Sequence, residues 1–184
     1  MPINLQKGQR VELGLTKAGI GLGWDPNQGS GEAYDLDASV FMVGTGGKIP
    51  DEQFFVYYNN QKSPDGSVQS SGDDQTGGNS EGDDETLNVE FAKIDPRISE
   101  MIVVVTIHDA EKRRQNFGQV RNSFIRIYDA TSNEEICKYE LEEDFSIETA
   151  VEFGRLYKKG GGWRFEAVGK GYPGGLQFFV NKYT

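Results

Sequence analysis

Two aspartates, Asp35 and Asp37, are the residues whose type and spacing most directly predict chemistry in this sequence. They lie two positions apart in "YDLDASVFMV", a stretch whose alternating and β-branched residues are typical of a strand. Side chains two apart on a strand leave the same face of the sheet, so the two carboxylates are expected side by side. Because their charges repel unless a cation or a proton intervenes, the pair favours a metal-binding interpretation.

Residues 72–85, "GDDQTGGNSEGDDE", carry six further acids among glycines and small polar residues. Glycine lets the backbone turn its carbonyl oxygens inward, and oxygen ligands suit a hard cation, with calcium more tolerant of irregular geometry than magnesium. An EF-hand is excluded, because Asn79 stands where that loop needs its turn glycine, although Asp74 and Glu85 have the first-to-twelfth spacing. Taken alone, the segment is equally compatible with a solvated acidic loop.

Other ligand chemistries have little support in the sequence. His108 and Cys137 are each the only residue of their type, so zinc, copper and iron–sulfur centres have no ligand set. Cys137 lies in the strand-like "EEICKYEL" and is interpreted as a small core residue, and His108 as a structural residue at a strand end. A third polar cluster, "NNQKSPDGS", contains Asn59, Asn60 and Asp65.

The elements that must position these residues are mostly strands. About ten are predicted, and "KKGGGWRF" is predicted to be the turn of a hairpin. The predicted strands are "RVELGL", "YDLDASVFMV", "QFFVYYN", "TLNVEFA", "MIVVVTIH", "SFIRIYD", "EEICKYEL", "AVEFGRLYKK", "WRFEAVGKG" and "LQFFVNK". Short helices are predicted at 95–101 and 109–118. The pattern indicates an all-β fold, a two-sheet antiparallel β-sandwich with one or two short helices, in one domain spanning 1–184.

Charge and hydropathy exclude several classes of protein. A net charge of −10 argues against nucleic acid as the main ligand, because phosphate binding needs a positive face. The longest apolar run, "MIVVVTI", is too short to span a bilayer, for which about 20 residues are needed. The N-terminal residues lack the apolar core of a secretory signal, which predicts the cytoplasm. The basic run "EKRRQ" is interpreted as a solvated helix face rather than a docking surface.

Several motifs in one order resemble the TerD family of tellurite-resistance and general stress proteins. They are "GLGWDP" at 21–26, "DLDAS" at 35–39, "YYNNQKSPDGSV" at 57–68, the acidic segment at 72–85, "FGQVRNSFIRIYD" at 117–129 and "ETAVEFGRLYKKGGGWRFEAVGKGY" at 148–172. The resemblance covers nearly the whole chain. It implies a two-sheet sandwich that binds about two calcium ions through the acidic loop and the aspartates before it.

Carried over onto matching positions, the resemblance implies these metal ligands: Asp25, Asp35, Asp37, Asn60, Asp73, Asp74, Glu81, Asp83, Asp84 and Glu85. The chain departs from the family pattern at Asp74, where Asn is usual, and in the spacer before Glu81, which is one residue longer.

The function implied by the resemblance is that of a non-enzymatic calcium-binding stress protein. It acts through protein partners in a stress-response complex, for which the membrane surface is one candidate location. One alternative is a calcium-dependent carbohydrate-binding module, with Trp24, Tyr57, Tyr58 or Trp163 as stacking platforms. A metal-dependent hydrolase that uses paired carboxylates is the other.

Overall fold

The computed structural model describes residues 2–25, 35–70, 85–141 and 147–184. Two sheets of six strands each are packed face to face, and their apolar inner faces form one large core. Every strand pair is antiparallel except β1 with β10, which is parallel. The predicted two-sheet β-sandwich is confirmed, with twelve strands in the described ranges instead of about ten.

The first sheet has the strand order β1-β10-β9-β3-β7-β6. Its strands are β1 (Ile3–Leu5), β3 (Lys17–Gly23), β6 (Val68–Ser70), β7 (Glu85–Glu90), β9 (Phe124–Asp129) and β10 (Glu135–Glu140). The second sheet has the order β2-β12-β11-β8-β4-β5. Its strands are β2 (Arg10–Leu13), β4 (Leu36–Val43), β5 (Phe55–Val56), β8 (Glu100–Ile107), β11 (Ala150–Lys159) and β12 (Gly162–Tyr172). The helices are α1 (Ala110–Arg113) and α2 (Gly175–Tyr183), with 3₁₀ turns at Glu52–Phe54 and Phe91–Lys93.

One end of the sandwich, which we call the loop end, carries the described residues that flank the acidic segments. In the first sheet Leu22 lies opposite Glu85 and Gly23 opposite Phe124, and in the second sheet Leu36 lies opposite Ile107. The residues that flank the segments 26–34 and 71–84 therefore lie at this end. The register of the strands thus brings parts of the chain that are far apart in sequence to a common edge.

Strand β3 was not among the predicted strands, because its sequence "KAGIGLG" is rich in glycine, which has low β-propensity. Packing explains why Gly19 and Gly23, on the outer face of β3, have no side chain. A Cβ at Gly19 would lie 2.0 Å from Cζ of Tyr128, and one at Gly23 would lie 2.4 Å from a ring carbon of Phe124. The two aromatic rings of β9 cover the bare backbone of β3 and supply the side-chain surface that the strand lacks.

Replacing Gly19 by alanine is expected to lower the free energy of unfolding by about 1–3 kcal/mol, as overpacking usually does. The new methyl group would displace the Tyr128 ring, over whose face the guanidinium carbon of Arg126 lies at 4.5 Å. Urea denaturation followed by tryptophan fluorescence measures the change.

Gly14→Ala is the matched control, since no atom lies within 4 Å of a Cβ at that position. Its midpoint should move little, as for most surface substitutions. In a Tyr128→Ala background, Gly19→Ala should cost clearly less than in the native chain. An undiminished cost in that background would contradict the proposed clash.

The largest error of the sequence prediction is at "LQFFVNK", which forms helix α2 and not a strand. Leu176, Phe179, Val180 and Tyr183 follow the i, i+3, i+4, i+7 spacing of a helix face. This face covers the outer side of the second sheet and buries Phe179 and Tyr183 completely or nearly so. The helix is needed because that side of the sheet is also apolar. The sheet residues beneath it are Phe41, Val43, Ile102, Val104 and Ala150.

The predicted helix at 95–101 is also wrong. Ile98 donates its backbone N–H to the carbonyl of Asp95 in a single turn, and β8 begins at Glu100. The Asp95 side chain accepts from the backbone and guanidinium of Arg97, which holds the turn. The helix predicted at 109–118 is present only as α1, which ends where Arg114 takes a left-handed conformation.

The predicted hairpin turn is confirmed. Lys159 pairs with Gly162 across a two-residue turn formed by Gly160 and Gly161. Both glycines have positive φ, 63° and 82°, as a tight hairpin turn between twisted strands requires.

Candidate metal centre

Asp37 is the second residue of β4, and Asp35 directly precedes that strand. Both are only 6% exposed, although carboxylates are rarely buried without compensation. Asp37 lies opposite Thr106 of β8, and the carbonyl of Asp35 accepts from the backbone N–H of His108 at 2.7 Å. The end of the β4–β8 ladder thus fixes the backbone that carries both aspartates.

Glu85, the first residue of β7, reaches this group from the other sheet. Its Oε2 accepts a hydrogen bond of 2.7 Å from the backbone N–H of Ala38, the residue after Asp37. Glu85 is itself 6% exposed. The hydrogen bond joins the two sheets at the loop end and brings a third buried carboxylate beside the aspartate strand. Because the interior screens charge poorly, three such groups favour a bound cation.

His108 lies closer to this group than the sequence indicated. Its Nδ1 is 4.0 Å from Oδ2 of Asp37, and its Nε2 is 3.4 Å from Oδ2 of Asp109. The ring is partly exposed and meets the ring of Tyr58 edge on, with centroids 6.4 Å apart. The strand-end position of His108 was recognised, but its approach to Asp37 follows from the β4–β8 register, which the sequence does not state.

The segment 108–123, which we call the cap segment, closes the loop end beside Asp25. The backbone N–H of Asp25 donates to the carbonyl of Arg121 at 2.9 Å. Oδ2 of Asp25 accepts from the side-chain amide of Asn122 at 2.6 Å. Asp25 is therefore placed at the same end as the other acids, with one carboxylate oxygen engaged by the cap segment.

Asn60 has a structural role in the described residues. Its side-chain amide donates to the carbonyls of Gln53 and Phe55 at 3.0 Å and 2.8 Å. Its backbone exchanges two hydrogen bonds with Tyr57 across a tight turn. The amide nitrogen is thereby occupied, so a ligand role for Asn60 would fall to its side-chain oxygen or carbonyl.

Half of the predicted ligands lie outside the described residues. These are Asp73, Asp74, Glu81, Asp83 and Asp84. Within the described ranges, no group of three or more His, Cys, Asp or Glu side chains is arranged to hold a metal ion. The described residues therefore contribute buried carboxylates to the candidate site. A complete coordination shell would also need oxygen donors from the acidic segment at 72–84.

Asp65, in the third polar cluster, stabilises a loop. Its Oδ1 accepts from the hydroxyls of Ser63 and Ser67 at 2.6 Å and 2.7 Å and from the backbone N–H of Ser67 at 2.9 Å. Its Oδ2 accepts from the backbone N–H of Asp95 at 2.8 Å. Burial alone would raise the pKa of Asp65, but these hydrogen bonds outweigh it and hold the pKa below its usual value.

Asp65→Ala is expected to destabilise the protein by about 2 kcal/mol at pH 7, because four donors lose their acceptor. A carboxyl whose folded pKa is depressed contributes stability above its unfolded pKa and loses it as the pH falls through the folded pKa. The difference between the native and variant chains should therefore shrink below about pH 4. Urea denaturation at several pH values checks this, with the exposed Glu134→Gln as control. A pH-independent difference would contradict the charge-based explanation.

Other predicted chemistry finds less support in the structure. Cys137 is completely buried, and burial raises the pKa of its thiol to about 12, so the prediction that it is a core residue is confirmed.

The aromatic side chains predicted as carbohydrate platforms are mostly covered. Trp24 is buried, and Tyr57 stacks on Phe55 with ring centroids 4.3 Å apart. Trp163 is partly buried, and of the four aromatic side chains predicted as carbohydrate platforms only Tyr58 is exposed.

The family model of the TerD domain matches residues 1–183. The chain belongs to the TerD family. General stress protein 16U from Bacillus subtilis is 47% identical over all of this chain and 97% of its own length. The tellurium resistance protein TerD from Alcaligenes sp. is 44% identical over all of this chain and 97% of its own length.

A solved structure also has this TerD fold. It is a homologue of the telluride resistance protein TerD from Streptomyces coelicolor, with a TM-score of 0.71. The match covers 91% of this chain and 96% of that one at 22% identity, which supports the fold alone. The recognition made from the motifs is confirmed, and family membership links the chain to tellurium resistance and the stress response.

In the described part of the chain, no helix has the length and apolar character that a membrane crossing requires.

Proposed function

We propose that this TerD-family chain is a non-enzymatic stress-response protein that binds about two calcium ions at its loop end. The observation that carries the proposal is the burial of three carboxylates at the loop end: Asp35, Asp37 and Glu85 are each 6% exposed, and they come from two different sheets. The donors are oxygen atoms, which suit calcium, and the described residues offer no cysteine to it. Such a cation would neutralise the negative charge that these buried groups bring to the loop end.

Four groups of the chain's own residues would act in this function. Asp35 and Asp37 would present carboxylates from a rigid strand, and Glu85 would keep the two sheets joined while adding negative charge. Asp25 would contribute from the end of β3, next to the cap segment. Asp73, Asp74, Glu81, Asp83 and Asp84 would add the remaining donors, as the family resemblance implies. A bound cation would then order the loop end and present it to protein partners, with the cytoplasm as the compartment predicted from the sequence.

Isothermal titration calorimetry of chelator-treated protein tests this proposal directly. Calcium should bind with a stoichiometry near two, and magnesium should compete weakly, because it demands a more regular geometry. Protein that takes up no calcium at millimolar concentration would contradict the proposal.

The partner part of the proposal needs a separate test. Affinity capture of tagged protein in calcium and in chelator should yield a set of proteins retained only with calcium. The same capture with an Asp37→Asn variant is the control, and partners retained equally by that variant would contradict control by the metal.

A further inference from the structure

A buried glutamate lies beneath helix α2, away from the candidate metal centre. Glu152 of β11 is 7% exposed and lies opposite Val104 of β8 and Lys170 of β12, in the middle of the second sheet. Ala150, two positions earlier on the same strand, belongs to the apolar cluster that α2 covers. Since side chains two apart on a strand share a face, the Glu152 carboxylate also points outward, toward the helix.

The carboxylate of Glu152 has little polar compensation in this position. Tyr183 of α2 donates its hydroxyl to Oε1 of Glu152 at 3.4 Å, which is long for an O–H···O hydrogen bond. Within the described ranges this is the only hydrogen bond to the side chain, and no basic side chain forms an ion pair with it. Burying a charge with so few partners costs free energy, which uptake of a proton would remove.

The titratable and charged groups around this position come from all the elements packed against it. They are Lys182 and Tyr183 of α2, Lys170 and Tyr172 of β12, Arg155 of β11 and Glu100 of β8. Burial has the largest effect and raises the pKa of Glu152 above its ordinary value, although the three basic groups and the Tyr183 hydroxyl oppose it. Burial and the Glu152 charge also raise the pKa of Tyr183, so its hydroxyl remains a donor.

Helix α2 can respond to this charge because side-chain packing, and not strand pairing, attaches it to the sheet. The connection that leads into the helix, at 173–175, contains two glycines. At the other end of the helix, the backbone N–H of Ile49 donates to the carbonyl of Tyr183 at 2.8 Å. The contact with Glu152 lies at this same end, so a change of charge there acts on the residues that hold the helix in place.

We infer that Glu152 makes the docking of α2 proton-sensitive, with the helix held more tightly in mild acid than at neutral or alkaline pH. Protonation of the carboxylate removes the buried charge, while the Tyr183 hydroxyl can still donate to it. Release of the helix would expose the apolar outer face of the second sheet, so pH would control access to that face. The inference does not depend on calcium binding.

The pH range follows from the direction of the shift. A carboxyl whose folded pKa is raised contributes stability that is fully present below its unfolded pKa and is lost as the pH rises through the folded pKa. The loss at Glu152 therefore begins above about pH 4.5, the ordinary glutamate value. This dependence is opposite to that of Asp65, whose contribution is lost as the pH falls.

Hydrogen exchange measured by mass spectrometry at residues 173–184 tests the inference in the native chain and in Glu152→Gln, whose amide imitates the uncharged acid. Both chains are compared at the same pH, in chelator, so that the intrinsic pH dependence of exchange cancels. At pH 8 the segment should exchange at least about threefold more slowly in the variant, because the docked helix no longer covers a charge. At pH 5 the ratio of the two rates should fall toward one.

Two further variants make the comparison specific. Glu134→Gln removes an exposed charge between β9 and β10 and should leave exchange at 173–184 near the native rate at both pH values. Tyr183→Phe keeps the ring but removes the donor to the carboxylate. The segment should then exchange faster than in the native chain at pH 8 and nearer to the native rate at pH 5.

Three results would overturn the inference. The first is a ratio between the native chain and Glu152→Gln that is the same at pH 5 and pH 8. The second is slower exchange in the native chain than in that variant at pH 8. The third is an equally large change at 124–140 in the first sheet, because the charge would then act on the whole fold and not on the docking of α2. Calcium uptake by calorimetry is measured separately, so the proposed function stands or falls independently of these results.

Discussion

Replacing Phe179 by alanine is expected to lower the free energy of unfolding by about 3–5 kcal/mol, the usual cost of removing a fully buried phenylalanine. Phe179 is the centre of the cluster between α2 and the second sheet and is completely buried. Its ring meets Tyr172 edge on at 5.2 Å between centroids and lies near Phe41 at 6.4 Å. Urea denaturation measures the loss.

Gln177→Ala is the matched control on the same helix. Gln177 is exposed, and its side-chain amide donates to Asn181, one turn further along. Its substitution should change stability by less than about 0.5 kcal/mol. A loss below about 1 kcal/mol for Phe179→Ala would show that the helix is not an integral part of the fold. Hydrogen exchange should also show faster opening in β4 and β8 of the Phe179 variant, because the helix protects their outer face.

Asp37→Asn is expected to abolish most of the stabilisation that calcium gives. At calcium concentrations near 100 times Kd, binding at each independent site raises the free energy of unfolding by about 2.7 kcal/mol. For a domain of this size that corresponds to roughly 5–10 °C in Tm. In chelator the variant should be at least as stable as the native chain, because it removes one charge from a buried group of carboxylates.

Asp109→Asn separates a ligand role from a general effect of charge. Asp109 is at the same end but exposed, and its left-handed backbone is one that asparagine also adopts readily. Its substitution should leave the calcium-dependent rise in Tm nearly unchanged. Differential scanning calorimetry in calcium and in chelator checks both variants. An equal loss of the rise in both would contradict the assignment of Asp37.

Much of the fold follows from local sequence pattern. The strands β4, β8 and β11 have strong alternation or β-branched runs, and the glycine pair at 160 and 161 determines the hairpin turn. The prediction that Asp35 and Asp37 lie together at the start of β4 follows from the two-residue period of a strand. These features depend on neighbours in sequence, which is why they could be predicted.

The features that were missed depend on contacts between distant residues. Gly19 and Gly23 of β3 are explained by the rings of Tyr128 and Phe124, which pack on them and lie more than one hundred residues later in the sequence. Helix α2 forms because the second sheet has an apolar outer face to cover, and its short segment fits either a strand or a helix by composition. The hydrogen bond from Ala38 to Glu85 likewise depends on the packing of one sheet against the other.

The N-terminal strands also have a consequence for how the chain folds. Strand β1 pairs with β10, and β2 pairs with β12, so Ile3 lies opposite Cys137 and Arg10 opposite Glu166. Neither sheet can acquire its N-terminal edge strand until β10 and β12, more than 100 positions later in the sequence, have been made. Since such long-range pairings must close large loops, folding should be slow for the chain length, on a scale of milliseconds to seconds. On the ribosome, β1 and β2 would wait until β10 and β12 have been made.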